Sequence, residues 1–370
     1  MVATTLTPGR AFAELLHALP SLGAVLAPLD PRAPVRVDAA LLVSEPLDGP
    51  EADAELRDTV DPGATHSIIH TSGTSGEPKP VELTYANHFA SAASSADNLG
   101  VDPTDRWLSP LPLFHVGGLA VLIRSAIYAT TAIVHDGFDP AAVRAGLESG
   151  DATLASLVPT MLARLRDDGL TAAPALRAAL LGGGPIPHGL VEWAAEIGFP
   201  AVPVYGMTET SSQVVAGIPG RPLRDVELKI GERGEILLRG PMVARGALAA
   251  DGWLHTGDSG RLDGHGLLHV EGRLKELIVT GGENVAPAEV EEALLTHPAV
   301  ADAGVVGLPD PDWGEAVTAF VVLRAPAGEE ELIEHCRALL APFKLPKRIE
   351  QVAWLPRNPV GKLLRGEIVP

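Results

Sequence analysis

The chain has 370 residues, of which 46% are hydrophobic, and 28 basic against 47 acidic residues give a net charge of −19. This length predicts two or three domains with a large buried core, and the apolar content excludes a disordered chain. The acidic excess argues against a nucleic-acid binder or a protein of anionic membrane surfaces, because binding to polyanions requires excess positive charge.

A single cysteine, Cys336, excludes an intrachain disulfide and a metal site built from several cysteines. It lies in the helical pattern EEELIEHCRALLA, which favours a buried, inert thiol over a nucleophile. The sequence start lacks the pattern of a signal peptide, and the most apolar stretch, 107–123, contains two prolines and is too short for a membrane span. We therefore expect a soluble cytoplasmic protein.

Hydrophobic periodicity predicts the elements in chain order. Residues 11–20 form a helical pattern that ends at Pro20. From residue 63 strands and helices alternate, and helices are predicted over residues 85–99, 118–128, 140–149, 160–168 and 188–197. Strands are predicted at THSIIH, WLSPLPL, TAIVH, TLASLV, ALRAALLGG and AVPVYG. Such alternation favours a mostly parallel sheet with helices on both faces.

Between residues 220 and 272 the pattern changes to short apolar runs separated by glycine turns, which predicts a β-rich subdomain. After Arg273 a new alternation of strands and helices predicts a separate C-terminal unit. The expected fold is α/β, with a large N-terminal domain of mostly parallel sheets flanked by helices, the β-rich subdomain, and a small α+β C-terminal domain. We place the two domains at residues 1–272 and 273–370.

A loop rich in glycine and hydroxyl groups, Thr71–Lys79, follows the predicted strand THSIIH. Its glycines allow close backbone approach to a ligand, and its hydroxyls, N–H groups and Lys79 suit phosphate oxygens. It matches neither a Walker A loop nor a Rossmann fingerprint. An ordinary flexible turn remains the alternative for this segment taken alone.

Two further motifs carry carboxylates. Tyr205–Thr210, with the sequence YGMTET, follows the strand AVPV, and ligands bind outside the carboxyl ends of parallel strands. Glu209 there could hold Mg²⁺ and Thr208 could reach a phosphate. Asp258 in WLHTGD could accept hydrogen bonds from ribose hydroxyls. A solvated glutamate and an Asx-turn are the alternatives.

Charged residues also mark two loops in the last hundred residues. Gly272–Glu276 and Thr280–Val285 lie where the β-rich part gives way to the C-terminal unit, a place suited to a hinge. Lys362 lies in the glycine loop NPVGK near the end of the chain, where a solvated charge is the alternative.

Six segments, taken together and in their order, resemble the adenylate-forming acyl-CoA synthetase family, and the resemblance runs from about residue 65 to the end. They are TSGTSGEPK, YGMTET, GEILLRG, GWLHTGD, GRLKELIVTGGENVAPAEVEE and NPVGKLLR. In that family a carboxylate attacks the α-phosphate of ATP, which gives an acyl-adenylate and pyrophosphate, and the thiol of coenzyme A then displaces AMP. The resemblance implies ATP, Mg²⁺ and coenzyme A as cofactors and a small-molecule carboxylate as substrate.

The resemblance also implies residue roles. The catalytic residues are Lys362, Thr208, Glu209 and His115, with Glu209 as the Mg²⁺ ligand and Lys362 between the α-phosphate and the substrate carboxylate. The residues implied for ATP and AMP binding are Thr71, Ser72, Gly73, Thr74, Ser75, Gly76, Lys79, Gly183, Gly184, Pro185, Tyr205, Gly206, Met207, Asp258 and Arg273.

Within this set Asp258 and Arg273 would hold the ribose, and Tyr205 would stack beside the adenine. Lys275 matches the hinge about which a mobile C-terminal domain turns between the two half-reactions. The segment implied to line the coenzyme A tunnel comprises Gly281, Gly282 and Glu283.

Three segments bear on the acyl group, because they resemble the matching segments of family members whose substrate acid is an aromatic ring with a second carboxylate. They are PLFHVGGL, LLGGGPIP and YGMTETSSQ. The residues implied around it are His115, Gly117, Gly118, Arg124, Gly182, Ser211 and Gln213, with Arg124 as a candidate counter-charge. A core histidine is the alternative at residue 115, and a surface or interface arginine is the alternative at residue 124. Three alternatives stay open for the whole chain. They are a ligase for another aryl or short acyl acid, an enzyme that loads a carrier protein, and a non-catalytic adenylate-binding protein.

Three departures from the family pattern leave the proposed catalytic positions intact. Pro80 stands where the family usually has glycine, the segment before the phosphate loop is short, and Arg245–Asp251 is a shortened insert. They leave open whether a homodimer partner supplies the missing surface.

Overall fold

The computed structural model describes residues 1–32, 37–49, 55–71, 78–357 and 363–368. In this part of the chain three β-sheets and their flanking helices form a large N-terminal domain and a small C-terminal domain. The α/β fold class is therefore confirmed. The β-rich segment is not a separate sheet, because its strands continue one edge of the second sheet.

The first sheet runs in the order β3-β1-β2-β4-β5. Its elements are β1 (Val2–Thr4), α1 (Arg10–Ala18), β2 (Leu26–Pro28), β3 (Leu41–Val43), β4 (Thr65–Thr71) and β5 (Lys79–Thr84). Its pairs are parallel except β4 with β5, which are antiparallel. β5 lies at the edge of the sheet, which is where a strand tolerates a proline such as Pro80. The sequence pattern did not predict β5 or the three short strands before β4.

The second sheet begins with a parallel half. Its elements are α2 (Tyr85–Leu99), β6 (Arg106–Ser109), α3 (Val116–Tyr128), β7 (Thr131–Val134), α4 (Pro140–Glu148), β8 (Leu154–Leu157), α5 (Pro159–Asp167), β9 (Ala178–Leu181), α6 (His188–Glu196) and β10 (Ala201–Met207). Five strands of this half pair in parallel, in the order β7-β6-β8-β9-β10. Strands β8 and β9 are buried along their whole length, as expected for a sheet covered on both faces.

The antiparallel half of this sheet continues from β10. It comprises β11 (Ser212–Gly217), β12 (Gly220–Pro222), β13 (Glu227–Ile230), β14 (Glu235–Arg239), β15 (Leu254–Leu262) and β16 (Leu268–Arg273). The order across the sheet is β13-β14-β15-β16-β12-β11-β10-β9-β8-β6-β7. Parallel pairing thus ends at β10, and the chain reverses there through the YGMTET segment.

Helix α2 joins the two sheets. Thr84 is its N-cap, accepting from Asn87 N, and the Asn87 side chain accepts in return from Thr84 N. The Asn87 amide also donates to the carbonyls of Pro241 and Val243, which fixes the helix against the loop before β15. The buried side chains on this helix include three serines, at positions 91, 94 and 95.

The main apolar core lies beneath the parallel half of the second sheet. Leu108, Leu147, Leu162 and Leu181 are each almost completely buried there, between the strands and helices α4 and α5. Burying a leucine side chain contributes about 2 kcal/mol. The rigid layer that results holds the loops at the strand ends in place.

The C-terminal sheet comprises β17 (Ile278–Thr280), β18 (Glu283–Val285), β19 (Val300–Asp310), β20 (Gly314–Leu323) and β21 (Arg348–Gln351), with helices α7 (Pro287–Leu295) and α8 (Glu329–Arg337). Its order is β18-β17-β20-β19, and β21 pairs with β20. Cys336 on α8 is fully buried, and burial raises the pKa of its thiol to about 11, so the prediction of a buried thiol is confirmed.

Candidate active site

A cleft of about 1450 Å³ lies between the carboxyl ends of the parallel strands and the first residues of the C-terminal sheet. The sequence-predicted residues that line it are Thr71, Lys79, His115, Gly117, Gly118, Arg124, Gly182, Gly183, Gly206, Met207, Thr208, Glu209, Gln213, Arg273 and Lys275. The cleft thus brings together segments from Thr71 to Glu367, nearly the whole length of the chain after the first strands. Its position agrees with the rule that ligands bind at the carboxyl ends of strands.

The predicted phosphate loop leaves and returns at the rim of this cleft. Thr71 ends β4, Lys79 begins β5, and the two residues are paired in the antiparallel ladder. The Thr71 hydroxyl donates to the Lys79 carbonyl at 3.3 Å. The residues between them that we assigned to ATP, Ser72, Gly73, Thr74, Ser75 and Gly76, lie outside the described residues.

The YGMTET segment forms a tight reversal between β10 and β11. A Cβ at Gly206 would lie 2.0 Å from the Ser212 carbonyl, so only glycine fits where the two strands shift register. The buried Thr210 hydroxyl lies 3.0 Å from the Met207 carbonyl and 2.7 Å from the Ser212 carbonyl. Thr208 and Glu209, at the tip of the reversal, line the cleft.

Asp258 is held between two partners at the edge of the cleft. Arg273 Nε lies 2.7 Å from its Oδ1, and the Tyr205 hydroxyl donates to its Oδ2 at 2.8 Å. The pairing follows from sheet register, because Asp258 on β15 lies opposite Arg273 on β16. Burial, and then the Asp258 charge, raise the pKa of Tyr205, so its phenol stays a hydrogen-bond donor. Asp258 is therefore anchored close to the lining residue Arg273.

The wall near α3 is closely packed and combines apolar side chains with a few polar ones. Helix α3 begins after His115, and burial lowers the pKa of this histidine, which favours the neutral imidazole at neutral pH. A Cβ at Gly118 would lie 2.5 Å from the Pro112 carbonyl, so glycine lets the helix approach this loop. Apolar lining comes from Leu157, Val158, Leu180 and Val204.

The C-terminal side of the cleft carries a charged network. Arg365 Nη1 donates to Glu276 and its Nη2 donates to Glu291, both at 2.6 Å. Burial raises the pKa of Glu291, while Arg365 opposes this shift. Glu276 directly follows Lys275, and Arg365 lies three residues after the predicted catalytic Lys362, which falls outside the described residues. The chain around the predicted hinge is thus tied to the C-terminal tail.

Several expected site residues do not line the cleft in the described part of the chain. Tyr205 and Asp258 lie just behind Arg273, and Ser211 is buried, its hydroxyl donating to the Met242 carbonyl at 2.8 Å. The other predicted residues outside the lining are Gly184, Pro185, Gly281, Gly282 and Glu283. Gly281 N donates to the Trp313 carbonyl at 2.9 Å on the C-terminal sheet. The roles predicted for all of them stay predictions.

Sequence reasoning missed the serines of α2. The Arg124 guanidinium donates to Ser91 at 2.9 Å, and the Gln213 amide donates to Ser95 at 3.2 Å. The available signal was a small polar stripe, since Asn87, Ser91 and Ser95 recur every fourth residue and lie on one helix face. Arg365 was also missed, because only its neighbour Lys362 carried a motif.

Among the described residues no group of three or more His, Cys, Asp or Glu side chains could hold a metal by themselves. Magnesium in nucleotide sites is commonly held by one or two carboxylates together with substrate phosphates. Glu209 on the cleft wall fits that donor set. No helix in the described ranges is long and apolar enough to cross a membrane.

The fold and the cleft define a nucleotide-dependent enzyme, and the chain belongs to the AMP-binding enzyme family. The family model of the AMP-binding enzyme matches residues 33–248, and that of the AMP-binding enzyme C-terminal domain matches residues 289–362.

The particular relatives share one name. The 2-succinylbenzoate–CoA ligase of Bacillus subtilis (strain 168) is 43% identical over 333 residues, covering 82% of this chain and 68% of the relative. The ligase of the same name from Bacillus cereus (strain ATCC 10987 / NRS 248) is 41% identical over 355 residues, covering 88% and 74%.

Solved structures agree with these relatives. The o-succinylbenzoate CoA synthetase of Bacillus subtilis in complex with its acyl-adenylate intermediate superposes with a TM-score of 0.91 at 36% identity, covering 99% of this chain and 87% of that chain. The same enzyme in complex with ATP and magnesium ion superposes with a TM-score of 0.87 at 35% identity, with coverages of 99% and 88%.

Proposed function

We propose that this chain is an ATP-dependent carboxylate–CoA ligase that converts 2-succinylbenzoate to its CoA thioester through an acyl-adenylate. The observation that carries the proposal is the single cleft in which Glu209, Arg273 and an apolar pocket with a buried cation converge. The similarity to 2-succinylbenzoate–CoA ligases above 40% identity supports the choice of acid. The enzyme is an AMP-forming acid–thiol ligase.

In the first step a carboxylate oxygen of the acid attacks the α-phosphorus of ATP, the new O–P bond forms, and pyrophosphate leaves with the electrons of the broken P–O bond. Bringing two anions together requires local positive charge and fixed orientation. Thr71, Lys79 and the loop between them hold the polyphosphate, and Thr208 contacts the α-phosphate. Glu209 holds Mg²⁺, which neutralises phosphate charge when it is bound.

The nucleoside is held by Asp258 and Arg273, which bind the ribose hydroxyls, while Tyr205 stacks beside the adenine. The structural support is the Tyr205–Asp258–Arg273 arrangement, because these contacts fix the Asp258 carboxylate beside Arg273, which lines the cleft. Gly182, Gly183, Gly184 and Pro185 pass along the nucleotide and acyl group. Lys362 bridges the α-phosphate and the attacking carboxylate.

In the second step the thiol sulfur of coenzyme A attacks the acyl carbon, a C–S bond forms, the C–O bond to AMP breaks, and the thiol proton is released. We assign the rearrangement between the steps to a rotation of the C-terminal domain, residues 273–370, about Lys275. Gly281, Gly282 and Glu283 then line the path of the pantetheine chain. His115 and Gly118 border the acyl group in both steps.

The activity is tested by incubating the protein with MgATP and 2-succinylbenzoate and measuring pyrophosphate release. Addition of coenzyme A should then give the thioester and AMP, detected by mass spectrometry. Turnover of benzoate or acetate without turnover of 2-succinylbenzoate would support the alternative, a ligase for another aryl or short acyl acid. Transfer to a phosphopantetheinyl carrier protein but not to free coenzyme A would support a carrier-loading enzyme.

The role of Lys362 is tested separately. Lys362→Ala should lose pyrophosphate release but keep thioester formation from a supplied acyl-adenylate, because the lysine charge acts at the α-phosphate in the first step only. Lys347→Ala, which changes a lysine of the C-terminal domain outside the cleft, is the matched control. Equal loss of both half-reactions in Lys362→Ala contradicts the assignment.

We place the reaction in the cytoplasm, where ATP and coenzyme A are supplied, and we keep the homodimer as part of the proposal. Leu41 and Leu42 on the edge strand β3 are half exposed and offer an apolar surface for a second copy. Sedimentation of the purified protein tests this, and a single monomeric species at micromolar concentration refutes it.

A further inference from the structure

A bulge in strand β15 carries the carboxylate that we assign to the ribose. At one end of the bulge Leu237 of β14 pairs with His255, and at the other end the pairing resumes. There Glu235 of β14 pairs with Ser259. Residues 256–258 therefore lie opposite a single residue of β14, and we call them the β15 bulge. Bulges beside active sites commonly serve to re-aim a side chain, and the third residue of this one is the ribose carboxylate.

Side chains take over the backbone hydrogen bonding of the β15 bulge, where the ladder is disrupted. Gly257 N donates to Glu235 Oε1 at 3.0 Å. The buried Thr256 hydroxyl donates to the Ile236 carbonyl at 2.7 Å and accepts from Asp258 N at 3.1 Å. The φ of Gly257 is +68°, a left-handed conformation that suits glycine. All three residues of the bulge are thus held by bonds to side chains.

Glu235 connects the bulge to the neighbouring strand through both of its carboxylate oxygens. Its side chain is 19% exposed, and while Oε1 accepts from the bulge, Oε2 lies 3.0 Å from His255 Nδ1. The second ring nitrogen of His255 lies 3.3 Å from Asp251 Oδ2. The hydrogen bonds to Glu235 and Asp251 raise the pKa of His255, which favours an imidazolium that donates to both carboxylates.

The strand is anchored on both sides of the bulge. Before it, Trp253 N donates to Asp251 Oδ1 at 3.1 Å. The centre of the Trp253 ring lies 4.1 Å from Lys229 Nζ and 4.7 Å from the guanidinium carbon of Arg239, which are cation–π contacts with β13 and β14. After the bulge, β15 pairs along β16. The conformation between these anchors therefore depends on the side-chain bonds of the bulge itself, of which Glu235 supplies one.

We propose that Glu235 is a positioning residue for the nucleotide, because by holding the β15 bulge it directs the Asp258 carboxylate toward the ribose hydroxyls of ATP. This inference rests on the proposed function and adds a residue that acts on the ribose through another. Glu235 is not among the residues that line the cleft, whereas its partner His255 is. A contact that only stabilises the fold would affect all nucleotides alike, whereas a positioning residue affects those that carry the hydroxyls.

The test compares ATP with 2′,3′-dideoxy-ATP, which lacks both ribose hydroxyls. Pyrophosphate release is measured with 2-succinylbenzoate and Mg²⁺, and the ratio of the two kcat/KM values is the ATP preference. In the unchanged enzyme this preference should be about 100-fold, because hydrogen bonds to a charged carboxylate are among the stronger ones. Glu235→Ala should lower it to about tenfold by reducing kcat/KM for ATP, while the value for the dideoxy nucleotide changes less than about threefold.

Further variants separate the parts of this arrangement. Glu235→Gln should keep most of the ATP preference, because its amide oxygen can still accept from the backbone N–H of the bulge. Thr256→Val removes another bond of the bulge and should lower the preference as Glu235→Ala does. In the Asp258→Asn background, Glu235→Ala should change the preference less than about twofold, since coupled residues are not additive. The matched control is Glu232→Ala, an exposed glutamate nearby, which should behave as the unchanged enzyme.

The thermal midpoint and the KM for the acid show whether each variant is folded, and Glu235→Gln and Thr256→Val serve where Glu235→Ala is not. An equal loss with both nucleotides, or a loss that adds to that of Asp258→Asn, overturns the inference and leaves the proposed function standing. An unchanged enzyme without ATP preference overturns the ribose role of Asp258 and this inference with it. Absence of pyrophosphate release with 2-succinylbenzoate overturns the proposed function itself.

Discussion

Asp258 connects the nucleotide side of the cleft to the sheet, and replacing it with asparagine tests that link. The change removes the charge that Arg273 contacts at 2.7 Å but keeps the size of the side chain. The side chain of Asp258 is 8% exposed and that of Arg273 is 36% exposed. The pair is therefore partly buried, and its contribution to stability should lie between those of exposed and fully buried salt bridges. Breaking it should cost about 2 kcal/mol of folding free energy.

The effect on ATP should be separate from this loss of stability. If Asp258 accepts hydrogen bonds from the ribose, Asp258→Asn removes a charge-assisted bond worth about 2 kcal/mol, which corresponds to about a 30-fold rise in the KM for ATP. The KM for the acid should change little, because the acyl pocket lies on the α3 side of the cleft. Urea unfolding and pyrophosphate-release kinetics measure the two effects.

Tyr205→Phe provides the second arm of a double-mutant cycle. It removes the 2.8 Å hydrogen bond to Asp258 and should cost about 1 kcal/mol of stability by itself. In the Asp258→Asn background its cost should fall, because contacting residues are not additive. Glu271→Gln, an exposed charge on the neighbouring strand β16, is the control. Strict additivity, or a KM for ATP that is unchanged in Asp258→Asn, would refute the reasoning.

Three shorter predictions concern other parts of the molecule. Glu209→Gln should lower kcat at least about tenfold and raise the Mg²⁺ concentration needed for half activity, and an unchanged Mg²⁺ titration contradicts its role. Burial lowers the pKa of His88 to about 3, so the unfolded chain binds its proton first as the pH falls below 6.5. About 2 kcal/mol of stability should then be lost from this group at pH 5, and His88→Gln should flatten urea midpoints between pH 7 and 5. Arg365→Met should slow pyrophosphate release about tenfold while thioester formation from supplied acyl-adenylate is kept, because the bonds to Glu276 and Glu291 position the tail next to Lys362.

The sequence predicted the elements that carry a strong local signal. The helix predicted over 85–99 has those bounds in the structure, because Thr84 caps its start and Gly100 follows its end. Strands β8 and β9 were predicted because short apolar runs between helices suit a sheet covered on both faces. Thr71 and Glu209 reach the cleft because Thr71 ends the predicted strand β4 and Glu209 follows the predicted strand β10.

What the sequence could not predict depends on contacts between distant segments. β1, β2 and β3 have three residues each, too few for a periodic pattern, and exist because their neighbours pair with them. The strand β5 contains Pro80, a residue untypical of strands, and the edge position that tolerates it is known only from the folded sheet. The Ser91–Arg124 contact joins two helices, and only the folded chain shows that the arginine has no described acidic partner.

The overall charge and the local charge of the cleft have opposite signs. The whole chain carries −19, but five of the described lining residues are arginine or lysine and four are glutamate. One of these glutamates, Glu276, is occupied by Arg365, and another, Glu315, accepts a hydrogen bond from the Val279 N–H. Arg273 is paired with Asp258, so the positive groups that remain among the described lining residues are Lys79 and Lys275 near the nucleotide and Arg124 at the far wall. The net negative charge of the chain repels anions at long range and dissolved salt screens what attraction the cleft exerts, so affinity must come from short-range contacts in the cleft. This is why removal of a single buried cation should change the choice of acid, whereas changes of surface charge should not.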